Sequence, residues 1–152
     1  MWKKKSKGLA MQLDFVLALV VITILTAIVL VGVKSFLDNQ RIVKARADCA
    51  QIGAAISQYH MEIGELPKDM NEVKNKLTKT NGQYGPWLTR NPNDGREWAD
   101  GWNKSFVYKV SANGGGSDAR SFVIYSLGVN KKDDGSNAST GIAEGDIGFW
   151  GK

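Results

Sequence analysis

The chain has 152 residues, a formal net charge of +5 and one cysteine. That length holds one small domain and an appendage rather than two domains. Lys3, Lys4, Lys5 and Lys7 account for all but one of the net positive charges, so the basic balance belongs to the N-terminal tag and is at best a weak argument for nucleic acid, an unexpected partner here; one cysteine excludes an intrachain disulfide and a cysteine-based zinc site.

Phe15 to Val33 is nineteen residues without a charge, interrupted only by Thr23, Thr26 and Gly32. At ~1.5 Å per residue it spans roughly 28 Å, close to the hydrocarbon core of a bilayer. The run ends in Val31-Gly32-Val33-Lys34 with no small-residue cleavage site, and a helical pattern continues beyond it. It therefore reads as a retained anchor, not a discarded signal. The lysines before it place the N-terminus in the cytoplasm and the C-terminal bulk outside. One acid, Asp14, sits at the mouth of the run. A carboxylate at an apolar boundary is costly unless paired.

Beyond Lys34, Ile42, Ala45, Cys49, Ile52, Ile56, Tyr59 and Ile63 recur at alternating spacings of three and four, which is one apolar stripe of an amphipathic helix. No proline or turn cluster separates the stripe from the anchor. The pattern predicts one helix from about Leu9 to Ile63, on the order of 80 Å long. Gly64 is its stop, and Pro67 does not fit a continuing helix. The stripe needs cover from the rest of the chain, with Cys49 as a small buried apolar residue.

Lys68 to Lys79 carries Met70, Val73 and Leu77 at helical spacing. Thr80 to Gly101 is rich in turn signals: "TNGQYGPW", "NPNDG" and "DGWN". Two strand-like runs follow, "SFVYKV" (Ser105–Val110) and "SFVIYSLG" (Ser121–Gly128), joined by the flexible loop "SANGGGSDAR". They predict an antiparallel pair with one face on the helix stripe. The remaining tail is polar and glycine-rich until Ile147 and shows no strong helix or strand of its own. The expected fold class is α+β: a long N-terminal helix, membrane anchor first and amphipathic half second, packed on a small antiparallel sheet.

No constellation for catalysis stands out, and the chain does not read as an enzyme. His60 has no cysteine or acid pair beside it, and Ser117, Ser121 and Ser126 lack a nucleophile-elbow context. "GGGSDA" lacks the strand–helix setting and the lysine of a phosphate loop. Trp87, Trp98, Trp102 and Trp150 suit a small core or a subunit contact better than stacking on sugars or bases. Lys68, Lys74, Lys76 and Lys79 read as a solvated helix face.

The whole layout resembles the type IV pilin superfamily, closest to the major pseudopilin of type II secretion. The basic leader ends in Lys7-Gly8, and the anchor, amphipathic helix and sheet follow in the family's order. "YGPWLTRNPND" followed by "DGWNKSFVYKV" is similar to the turn and strand of major pseudopilins, with Asp100, Trp102 and Asn103 in place and Gly101 where the family usually has proline. "FVIYSLGVN" and "GDIGFW" (Gly145–Trp150) are similar to the next strand and the closing segment. The resemblance implies a leader over 1–8, a transmembrane assembly helix over 9–34, and a globular head over 35–152 that includes the amphipathic helix 35–63. It implies cleavage by prepilin peptidase between Gly8 and Leu9, methylation of the new amine, and self-assembly into a filament. An inner-membrane assembly platform and minor pilins or pseudopilins would be partners.

Besides Gly101, two further features depart from that pattern. The fifth residue after the cut is normally glutamate. A cut after Gly8 puts Leu13 there and Asp14 one later, whereas a cut after Ala10 puts Met11 first and Asp14 fourth. Asp14 either replaces the glutamate that meets a neighbouring subunit's amine or simply sits at headgroup level. The resemblance also implies a calcium site between the last strand and the closing segment. Leu127 would give its carbonyl, Asn130 stands for an aspartate, Glu144 and Asp146 for two late aspartates, and Asp133 or Asp134 adds a carboxylate. Without the resemblance, that stretch is a solvated acidic loop neutralised by Lys131 and Lys132. Against the filament subunit stands a membrane-anchored monomeric binding module, gripping a ligand through its tryptophan-rich loops.

Overall fold

The computed structural model describes residues 3–89, 98–111 and 120–152. Helix α1 runs Lys3–Ile63 and α2 runs Met70–Leu77. Strands β1 (Val107–Val110), β2 (Phe122–Ser126) and β3 (Ile147–Gly151) follow. The chain divides into two compact units, Met1–Asn39 and Gln40–Lys152. The arrangement is the α+β, pilin-like one that the sequence predicts.

In the second unit the amphipathic part of α1 behaves as its spacing requires. Ala45, Cys49, Ile52, Ile56 and Tyr59 are all buried. Gly64 closes the helix in the left-handed region, φ +83°, with its N–H donating to the His60 carbonyl at 2.8 Å. Asp69 caps α2 by accepting from the Glu72 N–H at 2.9 Å, while the Glu72 carboxylate accepts from the Lys68 N–H at 2.9 Å. That reciprocal pair satisfies donors the helix start leaves open. Val73 and Leu77 then bury against the stripe residues.

The sheet is antiparallel, in the order β1-β2-β3. Val107 pairs with Tyr125 and Val110 with Phe122; Phe122 pairs with Gly151 and Ser126 with Ile147. Both strands read from the sequence are present, shorter than their apolar runs. The loop predicted between them falls largely on 112–119, outside the described residues, as do "NPNDG" and Arg90.

Strand β3 corrects the reading of the tail as strandless. Two of its five residues are glycine, a poor strand former, so its composition hides it. Packing explains those glycines. A Cβ on Gly148 would collide with the Ile124 carbonyl oxygen, and one on Gly151 with the Phe122 ring. The central strand excludes side chains at two points of its neighbour.

Alternation sorts the sheet into two faces. Phe122 and Ile124 join the helix stripe in the core, and Phe149 lies against Gly53 of α1, where a Cβ would collide with its ring. Val123 and Tyr125 point the other way and are still fully buried. The segment after β2 covers that face: Trp150 Nε1, on the strand position paired with Val123, donates to the Ala138 carbonyl at 2.9 Å.

Candidate assembly segment and C-terminal loop

In the first unit α1 carries its apolar residues on all sides, so no single face could bury them against one partner helix. Leu13, Phe15, Leu17, Ile24, Val29 and Leu37 are among side chains that stay 48–70% exposed. The segment within Gln12–Ile63 is long and apolar enough to cross a membrane. The two hydroxyls of the uncharged run Phe15 to Val33 are satisfied within the helix. Thr23 Oγ1 donates to the Val20 carbonyl at 2.8 Å, and Thr26 Oγ1 to the Ile22 carbonyl at 2.9 Å. A hydroxyl bonded back to its own turn does not oppose an apolar surrounding. Gly8 and Leu9 are helical, and Leu13 and Asp14 are exposed on the same helix. One residue of displacement, from 13 to 14, turns a side chain by roughly 100° around the axis.

In the second unit, "DGWN" forms a turn built around Asp100. The Asp100 N–H donates to the Lys104 carbonyl at 2.7 Å, and the carboxylate accepts from the N–H groups of Trp102 (2.9 Å) and Lys104 (2.8 Å). Its other oxygen accepts from Ser126 Oγ at 2.6 Å. Ser126 Oγ in turn accepts from the Gly128 N–H at 3.1 Å. Asp100 thus ties the turn before β1 to the end of β2 and the start of the C-terminal loop. Gly101 has a local reason: a Cβ there would stand 2.9 Å from Arg41 Cβ on α1.

The loop over residues 127–146 holds the six residues implied as a calcium site, and it treats them unequally. Asn130 Nδ2 donates to Asp134 Oδ2 at 2.7 Å, and Asn130 Oδ1 accepts from the Lys132 N–H at 3.0 Å. Asp146 is buried. It accepts from Ser136 Oγ at 2.6 Å and from the Asp134 N–H at 3.5 Å. Gly145 lies against the same group, since a Cβ there would collide with the Asp134 carboxylate. Asn130, Asp134 and Asp146 therefore come together. Asp133 does not join them. Its Oδ2 accepts from Lys109 Nζ at 2.9 Å and its Oδ1 from the Gly135 N–H at 3.0 Å. The lysine and that N–H hold its carboxyl below the usual range. Glu144 is exposed and Leu127 partly buried. Among the described residues no three His, Cys, Asp or Glu side chains gather as a metal cluster.

Lys109 is the residue that sequence reading passed over. It lies on β1 diagonal to Tyr125, with its ammonium 5.3 Å from that ring's centroid, and it also donates to the Ser136 carbonyl at 2.9 Å. A lysine in mid-strand, in register with an otherwise apolar face, was the available signal. The tryptophans fall largely where a core needs them. Trp98 is buried, and Trp87 packs on the core with its indole N–H donating to Glu62 Oε2 at 2.6 Å. Cys49 is buried, with its thiol 3.4 Å from the Ile147 carbonyl. Burial pushes that thiol's pKa up to about 12.

The family model for type II secretion system protein G matches residues 33–145. The chain belongs to that family. It is also similar to the type II secretion system core protein G of Pseudomonas aeruginosa (strain PAO1), with 26% identity over 157 residues covering 99% of each chain. No solved structure matches the chain. As a protein G family member it is a pseudopilin subunit of type II secretion. The matched region takes in the amphipathic half of α1, Asp100 and most of the C-terminal loop.

Proposed function

We propose that this pseudopilin is cut between Gly8 and Leu9 by prepilin peptidase and then polymerises through its N-terminal helix into a periplasmic pseudopilus. The observation that carries this reading is the all-round exposure of large apolar side chains from Leu13 to Leu37. Such a surface is stable in lipid, or against other helices like itself once the chain leaves the bilayer. Before assembly it anchors the chain, with the lysine tag cytoplasmic and the head outside. The assembly platform of the inner membrane and minor pseudopilins are its partners in that step.

Asp14 is the assembly carboxylate in this reading, with Leu13 at the position where glutamate is usual. Cleavage creates an amine at Leu9, and a pair between it and a neighbour's Asp14 exists only among processed chains. The partner charge offsets the cost of holding a carboxylate at an apolar boundary.

Intact-mass measurement of the chain, extracted from cells with an active prepilin peptidase, gives the first test. A chain starting at Leu9, methylated on its amine, is expected. A start at Met11 would move the cut to Ala10. An intact Met1 start would favour the anchored monomeric module. Cysteines introduced singly at Val16, Val20 and Ile24 should crosslink between copies in membranes. A processed chain that never crosslinks there would refute polymerisation through this helix.

A further inference from the structure

The loop over residues 127–146 poses a problem of charge. It brings Asp134 and Asp146 together with Asp133 nearby, and the family resemblance implies a divalent cation to hold them. We infer that this chain closes the loop with its own groups, the Lys109 ammonium and the Asn130 amide, and does not require calcium.

Two independent contacts carry the inference. The first is Lys109. Calcium is satisfied by carboxylates and backbone carbonyls converging on one point. Lys109 Nζ takes one of each, Asp133 Oδ2 at 2.9 Å and the Ser136 carbonyl at 2.9 Å. Ser136 is fully buried, and its hydroxyl bridges the Ala143 N–H (2.8 Å) to Asp146 Oδ2 (2.6 Å). The ammonium therefore holds the middle of the loop at the residue that organises its far side. β1 positions this cation: Lys109 is paired with Val123 across the ladder and its ammonium lies over the Tyr125 ring. A donor anchored in a sheet loses less freedom on closing the loop than one on the loop itself.

The second is Asn130. Its Nδ2 lies 2.7 Å from Asp134 Oδ2, and its orientation is fixed because Oδ1 accepts from the Lys132 N–H. A carboxylate at 130 would place two negative oxygens at that separation, a contact that needs a cation between them. The amide turns the same contact into a hydrogen bond to a charged acceptor. Asp146 is likewise served by neutral donors, the Ser136 hydroxyl and the Asp134 N–H. Asp133, Asp134 and Asp146 thus each direct at least one carboxylate oxygen to a donor of the chain.

The test is thermal unfolding of the full-length chain in detergent, followed by tryptophan fluorescence, in about 5 mM calcium or in about 1 mM EGTA. The two midpoints of the unaltered chain should agree within about 1 °C. A calcium site tenfold saturated would separate them by roughly 5 °C, and that result would overturn the inference. Lys109→Met should lower the midpoint by about 3 °C in both media alike. Should that variant not fold, Asn130→Asp keeps the question open to decision. It should melt lower than the unaltered chain in EGTA and recover in calcium, because it restores the repulsion that a cation relieves. Asn130→Asp as stable as the unaltered chain in EGTA would also overturn the inference. None of these readouts depends on polymerisation, so failure here leaves the assembly reading untouched, and the reverse holds.

Discussion

Replacing Asp100 with alanine should be among the most damaging single changes in the head. The carboxylate is 2% exposed and accepts three hydrogen bonds, from Ser126 Oγ and from the N–H groups of Trp102 and Lys104. Ser126 is fully buried, so its hydroxyl has no access to water when the acceptor is gone, at a cost of about 2 kcal/mol. Trp102 lies nearer the surface and Lys104 is exposed, so their amides find water more easily and lose about 1 kcal/mol each. The sum is about 4 kcal/mol, a fall of roughly 16 °C in the midpoint for a head of this size. Asp100→Asn keeps one acceptor oxygen for the two amides and changes only the contact with Ser126, so it should cost about half as much. Melting curves read by near-ultraviolet circular dichroism suit the assay, because Trp87, Trp98, Trp102 and Trp150 all lie in the head unit. An Asp100→Ala midpoint within about 4 °C of the unaltered chain would mean that water replaces the carboxylate, and the three-way staple would be refuted.

Gly53→Val should force the Phe149 ring away from α1 and destabilise the head by about 1–3 kcal/mol through overpacking, despite removing a helical glycine; denaturant titration measures it. Asp14→Asn should leave cleavage at Gly8 unchanged, seen by mass, yet reduce crosslinking between copies, because only the pairing charge is lost. The Cys49 thiol, raised to about 12 in the fold against about 8.5 when unfolded, stays protonated in the native head. The stability this represents is whole below pH 8.5. Above it unfolding releases a proton, and stability falls by up to about 1.4 kcal/mol per pH unit until the folded value is reached. Cys49→Ala should flatten that slope in denaturant midpoints taken from pH 8 to 10, and an unchanged slope would show that the thiol is not its source.

What the sequence disclosed and what it hid follow from the range over which each pattern acts. The amphipathic stripe was legible because burial repeats every three or four residues along one helix, and Ala45 to Tyr59 obey it. Gly64 was legible because a left-handed stop is a local requirement. Strand β3 was not, because Gly148 and Gly151 are set by the Ile124 carbonyl and the Phe122 ring, groups more than twenty residues away in sequence. The loop shows the same limit. Its acids were visible as a cluster, but their charge balance depends on Lys109, which reaches Asp133 across 24 residues of chain. Composition therefore reports how many carboxylates a loop has, while only the sheet register reports which cation meets them. The Asn130–Asp134 contact sharpens the point, for in the inference drawn above it is an amide nitrogen in place of a carboxylate oxygen that lets the loop close without an ion. If that is so, protein G family members with an acid at this position should lack the strand lysine and need the metal, whereas those with the amide should carry both of the chain's own donors.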